Sequence, residues 1–394
     1  MTVDPETTRA VQDFDPHYDI VVVGARCAGA STAMLLARAG TKVLLVDRHG
    51  YGTDRISTHA LMRAGVLLLH RWGLLPALAQ AETPEIRFTT FHYGRDETGV
   101  SIKPEFGVDY LIAPRRTVLD RVLVDAAIEA GAKVYHGVSL RDLQFRPDHR
   151  GVGVQLRTTD GHDTIVGTEL VVGADGRQSS VAQLVGAPAY VEGSSASCYV
   201  YGYYDDLEHD GYHWYFENQV AAGVIPTNGD QHCVFVSVPQ SQFAKTFKKD
   251  IEDGFLRTAA ANSPDLATAL RKTSRSERLR GCVRVPGYLK QSYGRGWALV
   301  GDAGYFKDPL TAHGITDALR DAELLSRAIK RGSEAALADY QSERDALSEP
   351  LFEVTDEITS FDWDLEDLKE KHVRLNTAMK NETATMAALV TQSP

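Results

Sequence analysis

Cysteine is scarce: Cys27, Cys198, Cys233 and Cys282 are the only four in 394 residues, and no two form a C-x-x-C pair. Neither a zinc ribbon nor a disulfide frame has the spacing it needs, so reduced structural thiols are expected and a metal site is not. Positive charge is also in deficit, with 42 Lys and Arg against 53 Asp and Glu and a net charge of -11. A nucleic-acid partner would need a basic face, and this balance argues against one. No apolar run approaches the roughly 18 to 20 residues of a membrane helix, so no membrane span is expected. The opening segment MTVDPETTRAVQDFDPH is polar and acidic, unlike a secretory signal, which makes the cytoplasm the expected compartment. Internal repeats and low-complexity stretches are missing too.

The remaining composition, 43% hydrophobic and 24% charged, is that of an ordinary soluble enzyme, and the length predicts two structural lobes. Residues 18–47 read as strand, loop, helix and strand: YDIVVVG, ARCAGASTAMLLARAG and TKVLLVD. Apolar Ile20 to Val23 suits a strand buried on both faces, and the whole unit is a βαβ. Its loop, Gly24-Ala25-Arg26-Cys27-Ala28-Gly29, has Arg26 where the G-x-G-x-x-G fingerprint carries its middle glycine. Arg26 reads either as a cation near phosphates or as a cap on the loop. Asp47, at the end of the second strand, stands where a ribose hydroxyl needs an acceptor.

Further along, helices are predicted from Thr58 to Leu78 and from Arg116 to Gly131, then the strand AKVYHG. A strand over Glu169–Val172 leads into GADGRQSSVAQLVG, a turn and helix. Between Val191 and Val285 aromatic residues alternate with small or polar ones, and GVIPTNGDQHCVFVSV carries an Asn-Gly turn, so antiparallel sheet is expected. The segment WALVGDAGYFKDPLTAHGITDAL, Trp297 to Leu319, returns to strand, Gly-Asp loop and helix. Beyond Arg327 the chain reads as mostly helical, with Lys380 to Pro394 expected to fray.

Four separated motifs occur in order: the Gly24 loop with Asp47, the helix openings at Arg63-Ala64-Gly65 and Arg116-x-x-Leu119, Gly173-Ala174-Asp175-Gly176, and Gly301-Asp302. Over about residues 18 to 330 the chain resembles the class A FAD-dependent monooxygenases, the p-hydroxybenzoate hydroxylase fold. The GARCAG loop and STHAL segment are also similar to the related flavin halogenases and geranylgeranyl reductases. The resemblance implies an α/β fold: a Rossmann-like FAD-binding domain of glutathione reductase type (residues 1–80, 110–190 and 286–340) interrupted by an antiparallel-sheet substrate domain (81–109 and 191–285). A helical C-terminal segment, 341–394, completes it.

By the same resemblance FAD is the cofactor, NADPH or NADH the reductant, and O2 with an aromatic or polyketide-like small molecule the substrates. One oxygen atom, activated at the flavin C4a carbon, would reach the substrate. Gly24, Arg26, Gly29, Asp47 and its neighbour Arg48 would hold the adenosine diphosphate half. Arg63 and Arg116 would meet the pyrophosphate or ribityl chain, with surface arginines as the plain alternative, and Asp175 would belong to the Asp-Gly motif used for the FAD pyrophosphate and for NAD(P)H. Gly301 and Asp302 would take the ribityl group, or Asp302 would simply cap a helix, while Pro309, Gly314 and Ile315 line the reactive edge.

His59 and His313, with Pro309, are the candidate catalytic residues, His59 and His313 through near-neutral imidazoles; hydrogen-bonded structure is the plain alternative for both. Tyr201, Tyr203, Trp214 and Phe216 are the candidate substrate wall, or sheet packing only. Two departures stand out. Ala303-Gly304-Tyr305 replaces the Ala-Ala-His of many members, and Thr316-Asp317 lies where a helix asparagine is frequent. Trp214-Tyr215-Phe216 does not match the Trp-x-Trp-x-Ile-Pro of halogenases, which ranks hydroxylation ahead of halogenation. Reduction of carbon-carbon double bonds is the second reading. The C-terminal stretch FDWDLEDLKEKHVRL is expected to cover the flavin domain or to join a homodimer.

Overall fold

Hydrophobic alternation in the first strand sends Ile20 and Val22 to one face and Val21 and Val23 to the other, and both faces are buried. This computed structural model describes residues 14–54, 57–145, 151–283 and 285–391. The first strand, His17–Val23, lies at the centre of an eight-stranded sheet. It pairs in parallel with Val43–Asp47 on one side and Asp163–Gly173 on the other. Lys133–His136 and Trp297–Leu299 extend the parallel run outward, and Val138–Phe145 and Val152–Thr158 add an antiparallel meander.

Helices Cys27–Arg38, Arg63–Arg71, Arg116–Glu129 and Gly314–Arg331 cover one face through Met34, Leu67, Leu123 and Leu319. The meander covers the other with Val154, Leu156 and Val166. Full burial of such side chains contributes about 1.5–3 kcal/mol each.

A second, seven-stranded sheet takes Phe88–Tyr93 and Asp96–Ser101 from early in the chain and Ser197–Asp205, Tyr212–Glu217, Val220–Thr227, Gln231–Pro239 and Arg280–Val283 from later. It is antiparallel except that Tyr212–Glu217 pairs in parallel with Phe88–Tyr93; more than a hundred residues, among them four strands of the first sheet, separate those two strands in sequence. The hairpin turn is Asn228-Gly229-Asp230, with Gly229 and Asp230 at φ +72° and +53°. Asn228 also anchors the turn, accepting from the Arg115 amide at 2.8 Å and donating to the Ala81 carbonyl at 2.7 Å.

Two sequence expectations change. The helix expected from Thr58 begins at Arg63, since His59 adopts φ +64° and Leu61 bridges to Ile112. A left-handed residue and a bridged one cannot belong to a helical turn. The frayed tail is instead part of a helix, Leu365–Thr391, in which Glu382, Met386 and Ala387 are buried. Arg71 fixes that end by donating to the Ala387 carbonyl at 3.0 Å. Residues 392–394 lie outside the described residues. Among the described residues, no helix is long and apolar enough to cross a membrane.

Candidate active site

Parallel register brings the ends of three strands side by side: Val23 is opposite Gly173, and Gly173 is opposite Leu299. The Gly24, Ala174–Gly176 and Gly301–Asp302 loops therefore leave from one carboxyl edge, where open α/β sheets bind ligands. Backbone bonds lock this edge: Gly24 N–H to the Val46 carbonyl at 2.7 Å, Ala174 to Val23 at 2.8 Å and Val300 to Gly173 at 2.9 Å. The glycines are steric necessities. A Cβ on Gly24 would lie 2.4 Å from the Ala174 oxygen, and one on Gly29 1.8 Å from the Gly24 oxygen. Gly301, at φ +59°, packs on Ala28, so the Gly-Asp loop touches the first helix directly.

Asp47 is buried, and its carboxylate accepts from the Ala25 amide at 2.8 Å and the His49 amide at 2.7 Å. Burial opposes its ionisation, but those amides and Arg26 hold the carboxyl below its ordinary range. Arg26 reaches Thr53 Oγ1 at 3.1 Å and Asp120 at 3.5 Å. Arg116 meets the same Asp120 through two bonds of 2.9 Å, and Cys27 Sγ donates to it at 3.2 Å. Burial works against the Arg116 charge, yet Asp120, Cys27 and Asp302 hold the guanidinium above its usual range.

Arg48 is exposed. Arg63 turns toward the 105–108 segment, donating to the Val108 carbonyl at 2.9 Å. Asp175 accepts from the Ser180 amide at 2.6 Å and from the hydroxyl of Ser179, the residue that caps the helix Ser180–Leu184; burial raises its carboxyl above the ordinary range.

The loop before Gly314 is tied down at both ends. Asp308 accepts from Ser197 N at 2.8 Å, Ser197 Oγ at 2.7 Å and Leu310 N at 2.9 Å, which joins the loop to the aromatic strand of the second sheet. Pro309 opens a single 3₁₀ turn, and Ala312 closes it at φ +52°. Lys307 is buried and paired with Asp317. His313 is also buried, with Nε2 2.7 Å from Glu382 Oε2. Arg320 bonds Glu382 at 2.8 Å, Asp317 at 3.0 Å and Asp321 at 2.7 Å. His313 thus faces an ion network, whereas Leu310 and Ala312 of the same loop face the aromatic cluster.

That cluster contains all four candidate wall residues, Tyr201, Tyr203, Trp214 and Phe216, together with Tyr199, Tyr212 and Phe235. Phe361, Trp363, Leu368 and Leu375 close it from the C-terminal side, so the stretch FDWDLEDLKEKHVRL lies over the second sheet. His59 sits at its border. Its Nε2 is 2.5 Å from the Tyr203 hydroxyl, its Nδ1 is buried without a hydrogen-bond partner, and Arg115 stacks 3.5 Å from the Tyr203 ring centre. Burial, then Arg115 and Arg116, push the imidazole well below its ordinary range, so it is neutral where it shares a hydrogen bond with the tyrosine hydroxyl.

Residues 17–355 match the family model described as FAD binding domain. The chain belongs to this family of FAD-binding proteins. Digeranylgeranylglycerophospholipid reductase 1 of Methanococcoides burtonii is 28% identical over 349 residues, 83% of this chain and 77% of that protein. The myxobacterial chondrochloren halogenase CndH superposes with a TM-score of 0.77 at 21% identity, covering 95% of this chain and 97% of its own. PqsL of Pseudomonas aeruginosa, a probable FAD-dependent monooxygenase, does so at 0.73 and 21%, covering 92% and 100%. The protein is an enzyme of the FAD-dependent oxidoreductase class.

The residues at the carboxyl edge fit FAD. The Cys27–Arg38 helix has no side-chain cap and no acid in its first turn, and the Gly314–Arg331 helix has no side-chain cap either. Both N-termini are therefore open to an electron-rich group. A Cβ on Gly314 would meet nothing within 4 Å, which leaves room before the second of them. Sequence reasoning missed Asp120, Arg320 and Glu382. Only Asp120 left a trace, as the i+4 partner of Arg116 on one helix.

Proposed function

We propose that this enzyme is an NAD(P)H- and O2-dependent monooxygenase that hydroxylates an aromatic or polyketide-like small molecule. When bound, FAD would take a hydride from the nicotinamide and supply the oxygen chemistry; the chain provides position and a dry surrounding. The observation that carries the reading is the aromatic face of the second sheet. It is built from Tyr201, Tyr203, Trp214 and Phe216, closed by the C-terminal helices and joined to the Gly314 loop through Asp308 and Ser197. Such a face suits a flat apolar ring. At its border, neutral His59 with an unpartnered Nδ1 could exchange a proton with a hydroxyl on the substrate. The neighbour PqsL has been solved with 2-aminobenzoylacetate bound, which agrees with a small aromatic ligand.

Reduction of an isolated carbon-carbon double bond is the second reading, favoured by the 28% identity to an archaeal lipid reductase. Oxygen separates the two. NAD(P)H consumption across a panel of phenols, polyketides and isoprenoids should require both O2 and an aromatic substrate, with hydroxylated product formed. Undiminished anaerobic turnover with an isoprenoid would reject hydroxylation in favour of reduction.

A further inference from the structure

Arg115 stands just before the Arg116–Glu129 helix of the flavin domain, yet its guanidinium lies over the Tyr203 ring of the second sheet, 3.5 Å from the ring centre. Its amide donates to Asn228 Oδ1 at 2.8 Å, Nη1 to Gln231 Oε1 at 3.1 Å and Nη2 to Glu277 Oε1 at 2.7 Å. Two of these partners are braced in turn. Gln231 Nε2 donates to Asp205 at 2.9 Å, and the other oxygen of Glu277 accepts from Arg280 at 2.9 Å. The cation therefore sits where these bonds place it, and the phenol ring packs against it.

Among the described residues, the Tyr203 hydroxyl has a single hydrogen-bond partner, Nε2 of His59 at 2.5 Å. Burial raises the phenol above its ordinary range despite Arg115, and burial with Arg115 and Arg116 holds the imidazole below its own, so both groups are neutral at pH 7. If Nε2 carried the imidazole proton, the phenol O–H would need a second acceptor. Its neighbours offer none: Arg115 only donates, Cys233 turns its thiol to the Ser57 carbonyl at 3.9 Å, and the Asp54 carboxylate bonds Arg280 at 3.2 Å. That arrangement would strand two polar atoms, the phenol proton and the bare Nδ1, which is buried without a partner. With the phenol donating to Nε2, only the Nδ1–H is left over. His59 is held in this place by a left-handed backbone, φ +64°, with its amide donating to Ser57 Oγ at 3.0 Å, and strain of this kind gathers at functional sites.

From this geometry we infer that Arg115 is a positioning residue for His59: stacked on Tyr203, it holds the phenol in line for Nε2, which fixes the imidazole proton on Nδ1 and makes that atom a donor for an acceptor oxygen of the substrate. Which nitrogen of a histidine carries the proton follows from the hydrogen bond that the other one makes. A cation over the ring also stabilises negative charge on the phenol oxygen, so the O–H becomes the better donor. The chemical class selected is an aromatic ring bearing a carbonyl or phenolic oxygen. An isoprenoid double bond has no acceptor to offer Nδ1. The donor role rests on the hydroxylation reading, whereas the position of the proton in the resting enzyme does not.

The test reads the imidazole directly, in FAD-loaded protein with 15N-labelled histidine, by long-range 1H–15N correlation at pH 7. The His59 signals are those lost in His59→Gln. Nε2 should appear as the unprotonated nitrogen, recognised by its coupling to both carbon-bound ring protons, with the Nδ1–H form favoured about tenfold or more, the weight of one buried hydrogen bond. Tyr203→Phe should move the proton to Nε2. Arg115→Met should bring the two forms to within about threefold of each other, and Arg115→Lys, which keeps a cation without the planar fork, should fall between. Glu277→Gln loosens the guanidinium without removing it and should shift the ratio the same way by less; it decides the matter if Arg115→Met does not retain flavin. His372, whose Nδ1 lies 2.8 Å from the Tyr93 hydroxyl, is the internal control and should not change. A resting enzyme with the proton on Nε2 overturns the inference, as does a ratio that neither Arg115→Met nor Glu277→Gln moves. Those results leave the oxygen test untouched, and anaerobic turnover with an isoprenoid would reject hydroxylation and the donor role while the proton's position stood.

Discussion

Glu382, near the end of the last helix, places Oε2 2.7 Å from Nε2 of His313, the residue that precedes the Gly314 helix, and both side chains are fully buried. Its other oxygen takes the Arg320 guanidinium at 2.8 Å. The last helix is thereby bonded to the loop that leads into the Gly314 helix, across 69 residues of sequence. Removing one partner of a buried ion pair leaves the other charge uncompensated, at about 3–5 kcal/mol. Glu382→Gln should lower unfolding stability by about that amount in urea titration and loosen FAD; a change under about 0.5 kcal/mol would show the pair to be idle.

Gly29 permits the first helix to close on the loop. Its alanine variant would set a methyl 1.8 Å from the Gly24 carbonyl, which no rotamer relieves because the obstacle is backbone. Gly29→Ala should cost about 1–3 kcal/mol or more through displacement of that loop. Purified variant should be colourless or bleach on gel filtration, while Gly40→Ala, where a Cβ meets nothing, remains yellow despite φ +85°.

Asp302 shares an electrostatic neighbourhood with Arg116 at the strand edge, and Tyr288 fixes its backbone by donating to the Asp302 carbonyl at 2.6 Å. On the proposed reading of the site, its side chain would accept from the ribityl hydroxyls of FAD. A hydrogen bond to a charged group contributes about 1.5–3 kcal/mol, so Asp302→Ala should weaken FAD binding by about one to two orders of magnitude. Fluorescence quenching during FAD titration of apoprotein measures this directly. Unchanged affinity would place the ribityl acceptor elsewhere.

The nucleotide half of the fold was legible because its signals are local: apolar Ile20 to Val23, the glycines on either side of Arg26, and a carboxylate at the next strand's end all lie within one βαβ unit. The aromatic face was legible for the same reason, since alternate tyrosines from Tyr199 to Tyr203 must share a side. Glu382 was not. It sits in a helix whose charges look like a solvated face, and only tertiary packing sets Arg320 and His313 against it. The helix start at Arg63 was misjudged because Thr58 to Met62 contains no glycine or proline, yet His59 bends the chain with a left-handed backbone. His313 stood in the flavin loop by sequence, and its side chain turns to the ion network.

Acid should destabilise the protein through its buried imidazoles. His59, His92, His209, His213, His232 and His372 are all held below the ordinary value of 6.5, with burial the largest cause in each. Unfolded, each would bind a proton as pH falls through 6.5, while the folded protein resists until lower pH. The unfolded state then carries more protons, so stability present above pH 6.5 is lost below it. Glu382 adds a second loss of the same sign at lower pH. Although burial opposes its charge, His313 and Arg320 hold its carboxyl well under the ordinary 4.5, and protonation breaks the pair. Urea midpoints measured in EDTA should therefore fall steadily from pH 7 to pH 5, and further below pH 4.5. Replacing His59 by Gln removes one titrating group, so the slope between pH 7 and pH 5 should become shallower even as the midpoint at pH 7 drops. An unchanged slope would mean that His59 binds its proton equally in both states, contrary to its burial between Tyr203 and the two arginines.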